Sequence, residues 1–336
     1  MKESVTEVKH TWLVGAVFAA IAAGYFFLLG ASDFPEPGKN IEYDLKDFED
    51  LDNIETNYTE SPEIVPGFAP LTALAVANGN IYVAGKDTIA VYGPNDQQTA
   101  RHTIAGQPNC LGVALDGTMY AGIKNEVAVF NADGSPKATW KDFTERSYIT
   151  AIAIKGDDIF VADAGKRVVY RMNPAGVLQN RIGEKDPKKD VPGLEVPSPY
   201  LDLAINPDGD LWVVNPGKLG LERFQPDGSI VTSWYRPSLK LDGFPGCCNP
   251  TNIAFDSKGE LYTAEKGLVR IKSYEVTAGG FEGLVAASEL FPRQHSVEDI
   301  AVDARDRILV LDSQRNAIRV FVPKETPNGT ATPQPQ

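Results

Sequence analysis

The chain has 336 residues, 43% of them apolar and 23% charged, with 45 acidic against 32 basic side chains and a net charge of −13. This is the composition of a globular domain with a sizeable core, which sets aside fibrous and wholly disordered classes. The acidity argues against nucleic acid as a partner, because phosphate binding is driven by basic patches.

In chain order the first element is apolar. From Thr11 to Gly30 the sequence TWLVGAVFAAIAAGYFFLLG carries no charge, enough for one transmembrane helix across ~30 Å of hydrocarbon. Lys2, Lys9 and His10 precede it, and Asp33 and Glu36 follow. That bias assigns residues 1–10 to the cytoplasm and the rest to the periplasmic or extracellular side. A cleaved signal peptide, cut near Gly30-Ala31-Ser32, is the competing reading. The apolar run is longer than a usual signal core, which favours the anchor. Residues 31–66 read as an acidic linker: eleven acids lie between Ala31 and Ile64, opposed only by Lys39 and Lys46.

A repeat then governs residues 67–323. Six segments share an apolar strand with a central alanine, a polar turn and a second apolar strand: LTALAVANGNIYVAG from Leu71, LGVALDGTMYAG from Leu111, ITAIAIKGDDIFVAD from Ile149, LDLAINPDGDLWVVN from Leu201, TNIAFDSKGELYTAE from Thr251 and EDIAVDARDRILVLD from Glu298. The shared alanines, Ala75, Ala114, Ala153, Ala204, Ala254 and Ala301, are spaced by 39, 39, 51, 50 and 47 residues. Such a period is that of propeller blades. A third strand follows in each unit (TIAVYG, EVAVFN, RVVYRMN, LGLERFQ, LVRIKSY, AIRVFVP), and turns such as Ala132-Asp133-Gly134 and Pro226-Asp227-Gly228 lead to a fourth, as in IVTSWY from Ile230. The predicted fold is an all-β, six-bladed β-propeller behind one N-terminal transmembrane helix. The last unit stops after its third strand, so the missing outer strand is expected from upstream, at Ile41–Leu45 or Ile54–Tyr58. Residues 324–336 lack large apolar side chains and read as a disordered tail.

The phrases GDDIFVADAGKRVVYRMNPAGVLQNRIG (Gly156 to Gly183) and DARDRILVLDSQRNAIRVF (Asp303 to Phe321) resemble NHL-repeat propellers, over about Phe68 to Pro323. The stretch from Phe244 to Tyr274, which contains GCCNP, is similar to a bacterial variant of them. The resemblance implies a platform for proteins or ligands. Related six-bladed folds include metal-dependent lactonases, but their first-blade glutamate has no counterpart at Ala73 or Gly85.

Propeller sites normally lie at the mouth of the central channel. Two residues before each shared alanine stand Ala73, Gly112, Ala151, Asp202, Asn252 and Asp299; the second strands end at Gly85, Gly122, Asp163, Asn215, Glu265 and Asp312. Asp163, Asp202, Asn215, Asn252, Glu265, Asp299 and Asp312 are therefore the candidate mouth residues. Within them, Asp202, Asn252, Glu265 and Asp299 would suit Ca²⁺ or another divalent cation, and the same acids would suit a cationic ligand or a partner's basic loop. The acids closing the second strands have a structural alternative, as acceptors for loop amides. No zinc spacing, Gly-x-Ser-x-Gly elbow or phosphate loop is present.

The three cysteines are Cys110, Cys247 and Cys248, the last two inside Gly246-Cys247-Cys248-Asn249-Pro250. Outside the cytoplasm oxidation is expected. Three arrangements are open: a vicinal Cys247–Cys248 bridge, a bridge from Cys110 to one of the pair, or free thiols for a soft metal or redox exchange. Taken together, these features point to a membrane-tethered binding platform for an envelope protein or small ligand, with a divalent-cation hydrolase or lactonase and a redox-associated subunit using Cys247 and Cys248 as the rival readings.

Overall fold

A computed structural model describes residues 55–188, 190–291 and 296–324. The predicted anchor at 11–30 and the tail from 325 lie outside those residues. Among the described residues no helix is long and apolar enough to cross a membrane.

Among the described residues, twenty-four strands form six sheets of four antiparallel strands each. Strand β1 (Tyr58–Ile64) precedes the first blade, which is β2 (Ala73–Ala77), β3 (Asn80–Gly85), β4 (Thr88–Tyr92) and β5 (Gln98–Thr103). The second blade is β6 (Cys110–Val113), β7 (Met119–Ile123), β8 (Glu126–Phe130) and β9 (Pro136–Trp140); the third is β10 (Ile149–Lys155), β11 (Asp158–Asp163), β12 (Val168–Met172) and β13 (Leu178–Ile182). The fourth is β14 (Leu203–Ile205), β15 (Leu211–Asn215), β16 (Gly220–Phe224) and β17 (Ile230–Tyr235); the fifth is β18 (Asn252–Phe255), β19 (Leu261–Ala264), β20 (Ile271–Glu275) and β21 (Gly280–Ala286). The sixth holds β22 (Val297–Val302), β23 (Ile308–Asp312) and β24 (Ala317–Pro323), and its outer place is filled by β1.

The chain alternates between two faces of the ring. Inner strands begin at the channel mouth, and the turns between third and fourth strands lie on the opposite face. Those turns use the chemistry read from the sequence. Gly134, Gly176 and Gly228 take positive φ, and Asp133 and Asp227 each accept the N–H two residues on, from Ser135 and Ser229, at 2.9 Å.

The core is divided between the blades. Six apolar clusters each join neighbours, for example Phe160, Val169 and Ile182 of the third blade with Leu203, Val213 and Phe224 of the fourth. Another joins Ile81, Val83 and Tyr92 of the first to Leu309, Leu311 and Val320 of the sixth. Each sheet is thus covered on both faces, which is why the second strands read as near-continuous apolar runs such as LWVVN rather than alternating ones.

The closing strand differs from expectation. Ile41–Leu45 lies outside the described residues, and the observed strand only begins at Tyr58, the last residue of the other candidate. Tyr58 pairs with Pro323 and Ile64 with Ile318. Pro62 is tolerated because an outermost strand has one unpaired edge. The strand is held by charge as well as ladder: Glu60 accepts from the Nε and Nη2 of buried Arg319 at 2.7 and 2.8 Å.

Candidate functional site

The candidate residues separate into two groups. Asp202 just before β14, Asn252 at the start of β18 and Asp299 as the third residue of β22 line the channel; Asp163, Asn215, Glu265 and Asp312 are buried inside the blades.

The buried group holds the ends of the second strands. Asp163 Oδ1 accepts the N–H of Tyr148 at 2.9 Å and of Lys166 at 3.0 Å. Asn215 accepts from Glu195 N–H at 3.0 Å and donates to Glu222 Oε1 at 2.8 Å. Asp312 Oδ1 accepts the N–H of Gln314 and Arg315 at 2.9 and 3.1 Å. Glu265 forms ion pairs with Arg270 and Lys272, all three fully buried. Lys272 also donates to Leu241 O and Gly243 O, and burial pushes its ammonium down to about 8. Glu265 is therefore committed to its own blade, so the four-residue cation set of Asp202, Asn252, Glu265 and Asp299 does not converge. Among the described residues no three His, Cys, Asp or Glu side chains are grouped to hold a metal ion.

The first two blades lack this acid for a steric reason. A Cβ on Gly85 would lie 1.9 Å from Pro70 O, and one on Gly122 would lie 2.5 Å from Cys110 Sγ. There the incoming chain packs directly on the strand end.

The channel group belongs to a closed ring of hydrogen bonds in which each blade grips the next. Thr72 Oγ1 donates to Pro108 O at 2.6 Å, Asn109 Nδ2 to Ile149 O at 3.4 Å and Thr150 Oγ1 to Leu201 O at 2.6 Å. Asp202 Oδ2 accepts from Ile253 N–H at 2.7 Å, Asn252 Nδ2 donates to Glu298 O at 3.3 Å, and Asp299 Oδ2 accepts from Leu74 N–H at 2.8 Å across the seam between last and first blades. Thr72, Asn109 and Thr150 were missed by reading one fixed offset from the alanines. In the first and third blades the polar residue stands three places before the alanine and in the second five places, with Ala73, Gly112 and Ala151 filling the position that carries Asp202, Asn252 and Asp299 elsewhere.

Above the ring a vestibule of about 300 Å³ is edged by Gln107, Tyr148, Tyr200 and Glu298. It narrows to a throat of about 100 Å³ lined by Cys110, Thr150, Asp202, Asn252 and Asp299. The two cavities share Asn109, Thr150, Asp202, Asn252 and Glu298. Strands on all sides strip water from the aspartates: desolvation raises Asp202 to about 7, and desolvation followed by the charge of Asp202 raises Asp299 well above the carboxylate range. A larger hollow of about 500 Å³ lies along β13 between Leu178 and Val191. It is an open groove between the third and fourth blades, whereas every blade contributes to the vestibule and throat.

The expected disulfide is not formed: Cys110, Cys247 and Cys248 are all free. Cys248 is buried with φ +72 and its N–H donates to Pro216 O at 3.1 Å, while Cys247 faces solvent, so the neighbouring thiols diverge. The loop is fixed by Asn249, which donates to Pro245 O at 2.8 Å and accepts from Lys266 N–H at 2.9 Å. Cys110 is separately buried at the throat, which drives its thiol pKa up. Of the histidines, His102 is the one among the described residues, and it sits on β5 at a blade's outer edge.

Fold and channel together define a six-bladed β-propeller. No family model matches the chain, and no curated relative does. Solved structures do. The WD40 propeller domain of Doa1 aligns with TM-score 0.55 at 11% identity over 81% of this chain and 99% of its own. A streptogramin B lyase aligns with TM-score 0.55 at 11% identity, over 79% and 97%. A catalytically inactive virginiamycin B lyase from Staphylococcus aureus, solved with quinupristin, aligns with TM-score 0.54 at 12% identity, over 80% and 99%. At these identities the likeness concerns the fold alone, and the NHL resemblance rests on the phrases quoted for it.

Proposed function

We propose that this chain is a binding platform outside the cytoplasm, tethered to the membrane through residues 11–30, that takes an envelope protein or a small ligand at its channel mouth. The observation that carries the reading is the vestibule and throat, a concave polar site to which all six blades contribute. The uncharged run from Thr11 to Gly30 and its flanking charges support the tether. The fold by itself does not choose between binding and catalysis, since its neighbours include a WD40 domain and lyases.

The test is a crystal structure of the full chain purified from the membranes of its own cells without added ligand. Non-water density in the vestibule, touching side chains of at least three blades, is the expected result. Density confined to the groove along β13 or to the opposite face would refute the reading.

A further inference from the structure

We propose that the group bound in the throat is a primary ammonium, carried by a small amine or by a lysine side chain of a partner. The inference rests on the reading of the mouth as a binding site and names the chemistry of its anchoring group.

The ring between the blades determines what the channel can offer a ligand. Thr72 and Thr150 each donate their single hydroxyl hydrogen to a carbonyl of the next blade, leaving only oxygen lone pairs. Asn109 and Asn252 each commit one of their two amide hydrogens in the same direction, to Ile149 O and Glu298 O, leaving the second hydrogen and Oδ1. Asp202 uses Oδ2 toward Ile253, and Asp299 receives N–H groups from Leu74 and Ile300 on its two oxygens. Carboxylates keep further lone pairs and have no hydrogen when ionised. The fold therefore commits both threonine hydroxyl hydrogens and one hydrogen of each asparagine to the ring, and leaves one oxygen-bearing side chain per blade around the opening. Among the described residues, no Lys, Arg or His lines either throat or vestibule. Lys266, beside the vestibule residue Tyr200, is drawn to Ser198 Oγ at 3.3 Å and over the Tyr200 ring at 4.5 Å.

A ring with more acceptors than donors favours a ligand group that only donates. An ammonium has three N–H donors and a positive charge, and no acceptor to leave unsatisfied. The throat of about 100 Å³ has room for one –CH₂–NH₃⁺ terminus or a few waters. Guanidinium is broader and planar, and suits the site less well. The apolar stem would leave through the vestibule past Tyr148 and Tyr200. The converging ring oxygens and this two-stage shape carry the assignment, and a cation seated there would favour the ionised form of both aspartates.

The test follows the methyl resonances of Ile152, Ile253 and Ile300, which line the throat, in the full chain during titration with n-butylammonium and, separately, with n-pentanol. The expected result is saturable shifts with the amine and at least tenfold weaker binding of the neutral alcohol, a difference of about 1.4 kcal/mol. Asp202→Asn with Asp299→Asn keeps a side-chain oxygen for each inter-blade bond and should weaken n-butylammonium at least tenfold. If the double variant does not fold, the amine-versus-alcohol comparison on the unaltered chain still decides. Equal binding of the alcohol, shifts with neither probe, or an unchanged affinity in a folded variant would overturn the ammonium assignment. So would Ca²⁺ displacing the amine at equal concentration. None of these results removes a ligand seen in the vestibule by crystallography, so the two readings fail separately. A lysine-containing pentapeptide and its Nε-acetylated form separate the sources: shifts from the unacetylated peptide assign a protein lysine, and shifts from n-butylammonium alone assign a free amine.

Discussion

Asp202 and Asp299 contribute to the ring at a measurable electrostatic cost. Burial holds their carboxyls above the ordinary carboxylate range, Asp202 at about 7 and Asp299 well above its usual value, whereas an unfolded aspartate ionises near 4. Between about pH 4 and 7 the native state therefore binds more protons than the unfolded state, and stability falls as pH rises through that window. Glu298, Cys110, Tyr148, Tyr200 and Lys266 are the other titratable groups around the channel. Denaturant melts should show a loss of stability from pH 5 to pH 8 in the wild type. The Asp202→Asn, Asp299→Asn variant should flatten this and gain roughly 1–2 kcal/mol at pH 8, after discounting for water in the channel. Equal slopes in the two proteins would contradict this assignment. In the fifth blade, Glu265→Ala would leave Arg270 and Lys272 buried without their carboxylate, and a cost of about 3–5 kcal/mol is expected by the same melts. The sequence marked both aspartates and Glu265 and offered the acids closing second strands a structural role, but not the buried Arg270 and Lys272 that Glu265 serves. The repeat separates the two sets by position, but the particular loop amides and buried cations they serve are set only when distant segments fold onto them.

Among the elements, β1 depends most on distant partners. The inner strands and their turns were legible because each carries its own signal, an apolar run with a central alanine followed by Asp-Gly or Asp-x-x-Gly. The closing strand has no such signal. YTESPEI alternates weakly, contains Pro62 and buries only one face, so its register is set by β24, more than 250 residues away. The third strand of the fifth blade likewise begins at Ile271 rather than Leu268, because Arg270 turns inward to Glu265. A chain starting at Val65 removes β1, uncovers the β24 ladder and strands buried Arg319. It should lose its cooperative melt, whereas a chain starting at Glu55 should keep it. Glu60→Ala should cost about 2–3 kcal/mol, less than breaking a wholly buried pair because Glu60 is partly exposed. A cooperative wild-type melt from the Val65 form would contradict the role given to β1.

At the scale of the molecule, the ring is a set of sheets joined edge to edge by apolar clusters and stitched at the mouth by six polar side chains. That construction makes the mouth rigid and polar, and sets it apart from the opposite face, where Asp133, Asp227, Asp256 and Asp303 accept hydrogen bonds from backbone N–H groups in their own turns. The propeller period was readable along the chain, whereas the vestibule was not. Tyr148, Tyr200 and Gln107 come from loops of different length, and no period relates them. The most direct measurement is photo-crosslinking in the cells that make the protein, with a photoreactive residue at Tyr148, 41% exposed at the mouth, or at Val177, 55% exposed on the opposite face. Binding at the mouth predicts a discrete adduct from position 148 and none from position 177. An adduct from position 177 alone, or equal adducts from both, would contradict it.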